Sequence, residues 1–142
     1  AKFSGRPDVV ISPGMSSVVL GQEVARIHKC RAIFTERNAG MMALRRDFKL
    51  ERDEKALIIE DVLTTGRLTA EIIALAQAYG AKVVGVGAIV DRSTLPFCLS
   101  VPARALISYP LQVSAPSSCA QCAAGVPLTE APRASAGAQE GE

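Results

Sequence analysis

The sequence contains no tryptophan and a single histidine, and its other aromatic residues are four phenylalanines and two tyrosines. It also lacks an excess of charge of one sign, because 16 basic and 14 acidic residues leave a net charge of +2. No overall field therefore favours nucleic acid as a partner, although a few well-placed cations are enough to bind a small anion. His28 falls at the end of a predicted helix, with no nucleophile–base pattern around it, so we predict no catalytic role for it.

Membrane and export signals are absent as well. No apolar run reaches the roughly 18 residues that a membrane-spanning helix needs, and no charged segment followed by an apolar core marks a signal peptide. The four cysteines, Cys30, Cys98, Cys119 and Cys122, are irregularly spaced and do not form the pattern of a disulfide scaffold. We therefore expect no membrane association and a location in the reducing cytoplasm.

Cys119 and Cys122 form a single CxxC pair. Zinc usually takes four ligands, and the sequence has no second pair at a suitable spacing. A structural turn is the simpler interpretation, and half of a zinc site shared between subunits is the alternative. We predict no metal site built from protein side chains.

The chain is instead rich in aliphatic residues, and hydrophobic residues make up 49% of it. This composition is typical of an α/β protein whose mainly parallel sheet is covered by helices on both faces. With 142 residues, the chain has the size of one domain with its own core. The patterns predict strands at residues 8–12, 31–35, 56–59 and 83–90 and helices at residues 17–28 and 69–79.

The segments between these elements are predicted to form a flap, a short extended piece and a loop. Residues 36–47 lack a period and include a glycine, which indicates a mobile flap, and a short extended piece follows at residues 48–50. Residues 60–68 are predicted to form a loop. The order of elements favours successive βαβ units in one parallel sheet. The composition of residues 129–142 predicts a disordered tail.

The strongest motif is LIIEDVLTTG at residues 57–66. A buried strand runs into two carboxylates and then into Thr-Thr-Gly at the start of a helix, where hydroxyls, amides and the helix terminus favour a phosphate group. Carboxylates beside a phosphate need hydrogen-bond donors, and the vicinal hydroxyls of a ribose meet that need. The alternative is an acidic pair at a strand end, with Thr64 or Thr65 capping the helix.

This motif resembles the phosphoribosyl pyrophosphate (PRPP) signature of the type I phosphoribosyltransferases. The resemblance implies the fold of that family, a central mainly parallel sheet flanked by helices with a flexible flap. It also implies that the acidic pair contacts the ribose hydroxyls and that the loop holds the 5-phosphate. The PRPP-binding residues implied are Glu60, Asp61, Val62, Leu63, Thr64, Thr65, Gly66, Arg67 and Leu68. The Walker and Rossmann glycine patterns are both absent.

Other segments resemble the orotate-specific group of this family, and together the matches span residues 8–128. They are Glu36-Arg37, the LRRDF segment at residues 44–48, Asp91-Arg92-Ser93, Tyr109-Pro110 and the CxxCxxGxPL pattern at residues 119–128. The resemblance implies that Arg45 and Arg46 act in catalysis by binding pyrophosphate. They would do so either in their own subunit or across a dimer interface. It also implies that Thr64 and Arg92 contact orotate. The alternatives are a solvated Arg45-Arg46 pair and a surface ion pair between Arg92 and Asp91.

Three departures from the family pattern carry expectations. Arg67 and Leu68 stand where the family has small residues, so we expect weaker phosphate binding; the alternative is that Arg67 adds a charge-assisted contact to the phosphate. The turn at residues 12–17 lacks the paired glycines expected where pyrophosphate binds. The chain begins at Ala1 without an initiator Met, and we expect a fragment that lacks the N-terminal hood over the orotate ring. Residues 1–128 would then form the phosphoribosyltransferase domain.

The implied reaction transfers the phosphoribosyl group of PRPP to orotate, giving orotidine 5′-monophosphate and pyrophosphate. Its transition state resembles an oxocarbenium ion, so catalysis rests on positioning and electrostatics. Mg²⁺ is expected mainly through PRPP oxygens and water, and a homodimer is the expected assembly. The alternatives are transfer to another base and an inactive or regulatory PRPP-binding relative.

Overall fold

The structure is a computed structural model and describes residue 3, residues 5–96 and residues 98–127. The chain divides into two compact units, with the boundary between Leu111 and Gln112. The strands of the first unit are β1 (Val9–Pro13), β2 (Arg31–Asn38), β3 (Met41–Leu44), β4 (Lys55–Leu63), β5 (Lys82–Asp91) and β6 (Ala103–Ser108). Its helices are α1 (Val18–His28) and α2 (Arg67–Ala78), and a 3₁₀ turn, Met15–Ser17, precedes α1.

The six strands form one sheet in the order β3-β2-β1-β4-β5-β6. Four neighbouring pairs are parallel, and only β3 runs antiparallel, against β2. Helix α1 connects the parallel neighbours β1 and β2, and helix α2 connects the parallel neighbours β4 and β5. Both connections are βαβ crossovers. The prediction of a mainly parallel sheet flanked by helices is confirmed.

The core lies on both faces of the sheet because successive residues of a strand point to opposite sides. On one face Ile58 packs in a cluster with Ile72 and Ile73 of α2. On the other face Leu57 and Ile59 pack with Ala25 of α1. The same alternation places Glu60, two residues after Ile58, on the α2 face, where it contacts Thr69.

The predicted flap is a β-hairpin in the structure. β2 continues to Asn38 and pairs with β3 through Asn38↔Met41 to Thr35↔Leu44. Ala39 and Gly40 have positive φ values of 48° and 85°, which suits the tight turn of a two-residue hairpin. The sequence analysis predicted no strands in this flap and was wrong there. β3 has no apolar alternation of its own, and its pairing with β2 holds it in place.

Other boundaries also differ from the sequence patterns. β4 extends to Leu63, so the first four residues of the predicted loop at residues 60–68 belong to the strand. Residues 48–50 form no strand. β6 was not predicted; it is an edge strand whose Leu106 and Ile107 are exposed, so no buried aliphatic run marks it. The predicted tail, residues 129–142, lies outside the described residues.

The second unit contains the CxxC pair. A 3₁₀ turn, Pro116–Ser118, precedes a short helix α3 (Ala120–Ala123), and Cys119 caps that helix by accepting a hydrogen bond from the N–H of Cys122 at 3.1 Å. The structure joins the sulfurs of Cys119 and Cys122 in a disulfide, a pairing that the sequence analysis did not predict. In the described ranges, no three His, Cys, Asp or Glu side chains are grouped so as to hold a metal ion. No helix there is both long enough and apolar enough to span a bilayer.

Candidate functional site

Three segments with polar side chains lie at one edge of the sheet. They follow β1, β4 and β5, which are parallel neighbours, so their carboxyl ends meet at the same edge. Ligands of open α/β sheets bind at this edge. The segments are residues 14–17, residues 64–66 and residues 91–93.

The turn between β4 and α2 leads directly into the N-terminus of a helix. Gly66 is buried, has a φ of 72° and occupies the N-cap position of α2 without any side-chain cap. Thr64 and Thr65 are exposed, and Thr65 Oγ1 accepts a long hydrogen bond of 3.4 Å from the N–H of Arg67. The first N–H groups of a helix have no acceptor within it, and the helix dipole adds positive potential there. This turn is therefore suited to hold an anion such as a phosphate group.

Glu60 lies inside β4 and is only 6% exposed. Its Oε1 accepts a hydrogen bond from the hydroxyl of Thr69 on α2. Burial raises the pKa of Glu60, the Thr69 hydrogen bond partly offsets that rise, and the charge of Asp61 adds to it. The expectation that both carboxylates lie exposed at a strand end was wrong for Glu60, because β4 continues past it and turns it toward α2.

The raised pKa of Glu60 predicts how stability depends on pH. The folded state binds this proton more tightly than the unfolded state, so the stability contributed by Glu60 is full below its unfolded pKa and is lost as pH rises through the folded pKa. Glu60→Gln carries no charge, so it should gain stability relative to the unmodified chain at neutral pH and lose that advantage in acid. Urea unfolding at neutral and mildly acidic pH measures the difference; a difference independent of pH would contradict the assignment.

Asp61 points to the opposite face of β4 from Glu60. It is half-buried, and its Oδ1 accepts a hydrogen bond of 2.8 Å from the N–H of Val62. In the described part of the chain Oδ2 has no hydrogen-bond donor. Oε2 of Glu60 likewise has no donor among the described residues, and of the two carboxylates Asp61 is the more exposed.

The backbones of Val62 and Leu63 join the end of β4 to β5 and to the segment that follows β5. Leu63 is 2% exposed and packs in the core, and Val62 is half-buried. Both pair with β5, at Val62↔Val90 and Leu63↔Asp91. The carbonyl of Leu63 accepts a hydrogen bond of 2.8 Å from the N–H of Arg92. This bond brings the segment after β5 next to the turn that begins at Thr64.

Arg92 has an exposed side chain at this edge. Oδ1 of Asp91 accepts hydrogen bonds from the N–H and the hydroxyl of Ser93, at 2.8 and 2.6 Å. Among the residues that the structure describes, Arg92 forms no ion pair with Asp91. The Asp91 carboxylate therefore fixes the turn at residues 91–93, and the side chain of Arg92 is exposed at that turn.

Arg45 and Arg46 follow β3, and both are exposed. Arg46 donates two hydrogen bonds of 3.0 Å to the carboxylate of Glu36, and its guanidinium lies 5.8 Å from the centre of the Phe34 ring. The Arg46 hydrogen bonds lower the pKa of Glu36. The side chain of Arg46 therefore contacts two residues of β2 in the same hairpin.

A cleft of about 750 Å³ separates the hairpin from the start of α2. Its walls include Arg37 and Glu71, which the sequence analysis did not select as site residues, together with Arg67 and Thr65. Arg67 is exposed in the first turn of α2, whereas Leu68 is half-buried and packs against the core. The resemblance of Glu36-Arg37 to the family flap pointed toward Arg37; no motif pointed to Glu71.

The turn after β1 is held by its own serines. Ser12 Oγ donates to the carbonyl of Ser17, and Ser17 Oγ lies 3.5 and 3.4 Å from the carbonyls of Pro13 and Gly14. Gly14 has a φ of 81°, a conformation that glycine adopts without strain. These contacts give the turn a fixed shape without the paired glycines.

The fold and the site together define a class of protein. The structure of adenine phosphoribosyltransferase from Rhodothermus marinus superposes with a TM-score of 0.62 at 18% identity, covering 72% of this chain and 69% of that one. The fold is therefore that of the type I phosphoribosyltransferases. No protein-family model matches the sequence.

Sequence relatives narrow the class. An orotate phosphoribosyltransferase from Caldicellulosiruptor bescii is 43% identical over 123 residues, covering 87% of this chain and 65% of that protein. One from Thermotoga petrophila is 43% identical over 129 residues, covering 89% of this chain and 69% of that protein. The chain belongs to the orotate phosphoribosyltransferase family, and it spans about two thirds of the length of these relatives.

Proposed function

We propose that the chain binds PRPP at the turn between β4 and α2 and transfers its phosphoribosyl group to orotate. The products are orotidine 5′-monophosphate and pyrophosphate, and the reaction serves pyrimidine nucleotide synthesis. The observation that carries the proposal is the turn of residues 64–66 at the N-terminus of α2, where two exposed threonines and a glycine follow Asp61. Family membership supports the same substrates.

In this proposal the 5-phosphate of PRPP is held by the turn. The hydroxyls of Thr64 and Thr65 and the free amides at the start of α2 donate hydrogen bonds to phosphate oxygens. The absence of a side chain at Gly66 leaves room for close approach of the anion. Arg67 adds a charge-assisted contact from the first turn of α2.

The ribose is held by Asp61, whose Oδ2 is available to accept hydrogen bonds from the ribose hydroxyls. Glu60 supports this arrangement from the other face of β4 by fastening the strand to Thr69 of α2. The carboxylate charge of Asp61 also stabilises the positive charge that develops on the ribose ring in the transition state.

Orotate is held by Arg92 and Thr64. The N–H of Arg92 donates a hydrogen bond to the Leu63 carbonyl, which places Arg92 next to the turn between β4 and α2. Its exposed guanidinium is suited to bind a carboxylate. The base nitrogen then displaces pyrophosphate at the anomeric carbon: the new N–C bond forms as the C–O bond to pyrophosphate breaks, the electron pair of that bond leaves with pyrophosphate, and the proton of the base nitrogen passes to water.

Mg²⁺ fits this site as a partner of the substrate. Mg²⁺ keeps several waters when it binds together with substrate phosphates, so PRPP oxygens and water would supply most of its ligands, and Oδ2 of Asp61 would stay with the ribose hydroxyls. Bound in this way, the ion would offset charge on the departing pyrophosphate. Arg45 and Arg46 are proposed to bind departing pyrophosphate in the site of the neighbouring subunit.

The rest of the proposal concerns organisation. Residues 1–128 are proposed to act as the phosphoribosyltransferase domain, in a cytoplasmic homodimer in which Arg45 and Arg46 reach the neighbouring site. The basis is the resemblance of residues 36–48 to the family flap.

The activity is tested by incubating the chain with PRPP, Mg²⁺ and orotate and measuring orotidine 5′-monophosphate. A parallel reaction with adenine tests transfer to another base, the activity named for the structure from Rhodothermus marinus. Product with orotate and none with adenine is expected. Product with adenine alone would favour a purine substrate, and PRPP binding without either product would favour a regulatory relative.

Arg92→Ala should weaken orotate binding by roughly tenfold or more, because it removes a charge-assisted hydrogen bond. PRPP affinity should stay nearly unchanged. Titration of each substrate into the variant measures the two effects, with Arg26→Ala, an exposed arginine paired with Glu23 on α1, as the control. If Arg92→Ala lost PRPP binding and kept orotate binding, the roles would be reversed.

A further inference from the structure

We infer that Glu71 is a positioning residue that docks the β2–β3 hairpin on α2 and thereby holds Arg37 beside the phosphate-binding turn. This inference rests on the proposed function, since the hairpin is positioned for PRPP. Glu71 belongs to the second turn of α2 and is not part of the PRPP signature. Its carboxylate nevertheless makes the polar contacts of α2 with the hairpin.

The first contact fixes the backbone of the hairpin. β3 is the edge strand of the sheet, so some of its N–H groups point away from β2 and have no partner in the sheet. The N–H of Met42 is one of these, and it donates to Oε1 of Glu71 at 2.6 Å in a partly buried position. Hydrogen bonds to a charged acceptor are stronger than those to a neutral one. Glu71 therefore ties the hairpin to α2 at a defined position.

The second contact orients a cation. Nη2 of Arg37 lies 3.5 Å from Oε2 of Glu71, and Nη1 donates to the carbonyl of Gly40 at the hairpin turn. A guanidinium has five N–H donors, and these contacts use two of its nitrogens. The side chain of Arg37 is 55% exposed, so donors remain for a ligand in the cleft.

The cleft is lined by two cations and by part of the phosphate-binding turn. Arg37 of the hairpin, Arg67 of the first turn of α2 and Thr65 all line it, together with the Glu71 carboxylate. Arg67 and Glu71 are one helical turn apart, so they share a face of α2. Arg46, in contrast, is engaged with Glu36. Arg37 lines the same cleft as Thr65 and Arg67, which hold the 5-phosphate in the proposed function, so the 5-phosphate of PRPP is the ligand that Arg37 would contact.

Hydrogen exchange tests the docking without any ligand. The Met42 amide should be protected in the unmodified chain and in Glu71→Gln, because the amide oxygen of Gln can still accept its hydrogen bond. It should exchange much faster in Glu71→Ala. Glu23→Ala, which removes an exposed carboxylate of α1, should leave Met42 protected.

Titration of PRPP with Mg²⁺ then tests the link to binding. Arg37→Ala should raise the Kd for PRPP by about tenfold, and Glu71→Ala should raise it by roughly three- to tenfold through the loss of Arg37 placement. The double variant should resemble Arg37→Ala within about twofold, because both changes remove the same contact. Glu71→Gln should stay within about threefold of the unmodified chain.

The outcomes separate this inference from the proposed function. If the unmodified chain binds PRPP and Glu71→Ala binds it equally well, the role of Glu71 is overturned while the proposed function stands. Effects of Arg37→Ala and Glu71→Ala that simply add would show that Glu71 does not act through Arg37. Failure of the unmodified chain to bind PRPP would overturn the proposed function, and the positioning role with it, whatever the hydrogen exchange shows.

Discussion

Thr69→Val should lower the free energy of unfolding by about 2–3 kcal/mol, the cost of removing a hydrogen bond to a buried charged group. Thr69 is 1% exposed and its hydroxyl donates to the buried carboxylate of Glu60. Valine has nearly the same shape, so the substitution opens no cavity and isolates the loss of the donor. Without that donor the pKa of Glu60 should rise further, because the hydrogen bond now opposes the effect of burial.

The chain offers a matched control for this substitution. Thr35 is also fully buried, and its Oγ1 has no hydrogen-bond partner among the described residues. Thr35→Val should therefore be neutral or stabilising, because an unpaired buried hydroxyl is replaced by a methyl group. Urea unfolding of both variants at neutral pH gives the comparison. Equal effects at the two positions would show that the Glu60–Thr69 hydrogen bond does not fasten β4 to α2.

Asp61→Asn should weaken PRPP binding by roughly tenfold or more, the typical effect of losing a hydrogen bond to a charged group. The amide oxygen of Asn can still accept the hydrogen bond from the N–H of Val62, so the fold should be retained. What is lost is the negative charge that, in the proposed function, accepts hydrogen bonds from the ribose hydroxyls and stabilises the developing cation. Titration of PRPP with Mg²⁺ measures the change.

Asp53→Asn is the control for Asp61→Asn. Asp53 lies just before β4, at the opposite end of the strand, and its side chain is 65% exposed. Its φ of 64° is a conformation that Asn tolerates well. PRPP affinity should be unchanged in this variant. A loss of affinity as large as that of Asp61→Asn would mean that overall charge, and not the site, determines binding.

The central strands and both long helices could be predicted from the sequence because each is an aliphatic run bounded by turn signals. The ends of β1, β2, α1 and β5 differ by a few residues at most from the predicted ranges. The position of the turn after β4 could be predicted from its residue types, since two hydroxyls and a glycine follow the aliphatic run and precede the helix.

The different environments of Glu60 and Asp61 could not be predicted, because the sequence suggested a loop from Glu60 onward. Their opposite orientations follow only when both are placed in β4, where alternate residues face opposite sides. The burial of Glu60 then depends on Thr69 of α2, nine residues away. No local pattern encodes that contact.

The hairpin and its docking were missed for a related reason. β3 has four residues and is held by pairing with β2 and by the contact of Met42 with Glu71. Both are contacts between residues distant in the sequence. Glu71 on its own has the pattern of an ordinary solvated helix residue, so only the three-dimensional structure shows what it holds.

The most direct test of the account is to locate PRPP on the chain by backbone NMR. On titration with PRPP and Mg²⁺, we predict that the largest shifts of amide signals occur at residues 61–69, with smaller changes at residues 37–42 across the cleft. Signals at the opposite edge of the sheet, such as that of Asp53, should not move. Largest shifts away from residues 61–69, or no shifts at all, would contradict the assignment of the β4–α2 turn as the PRPP site.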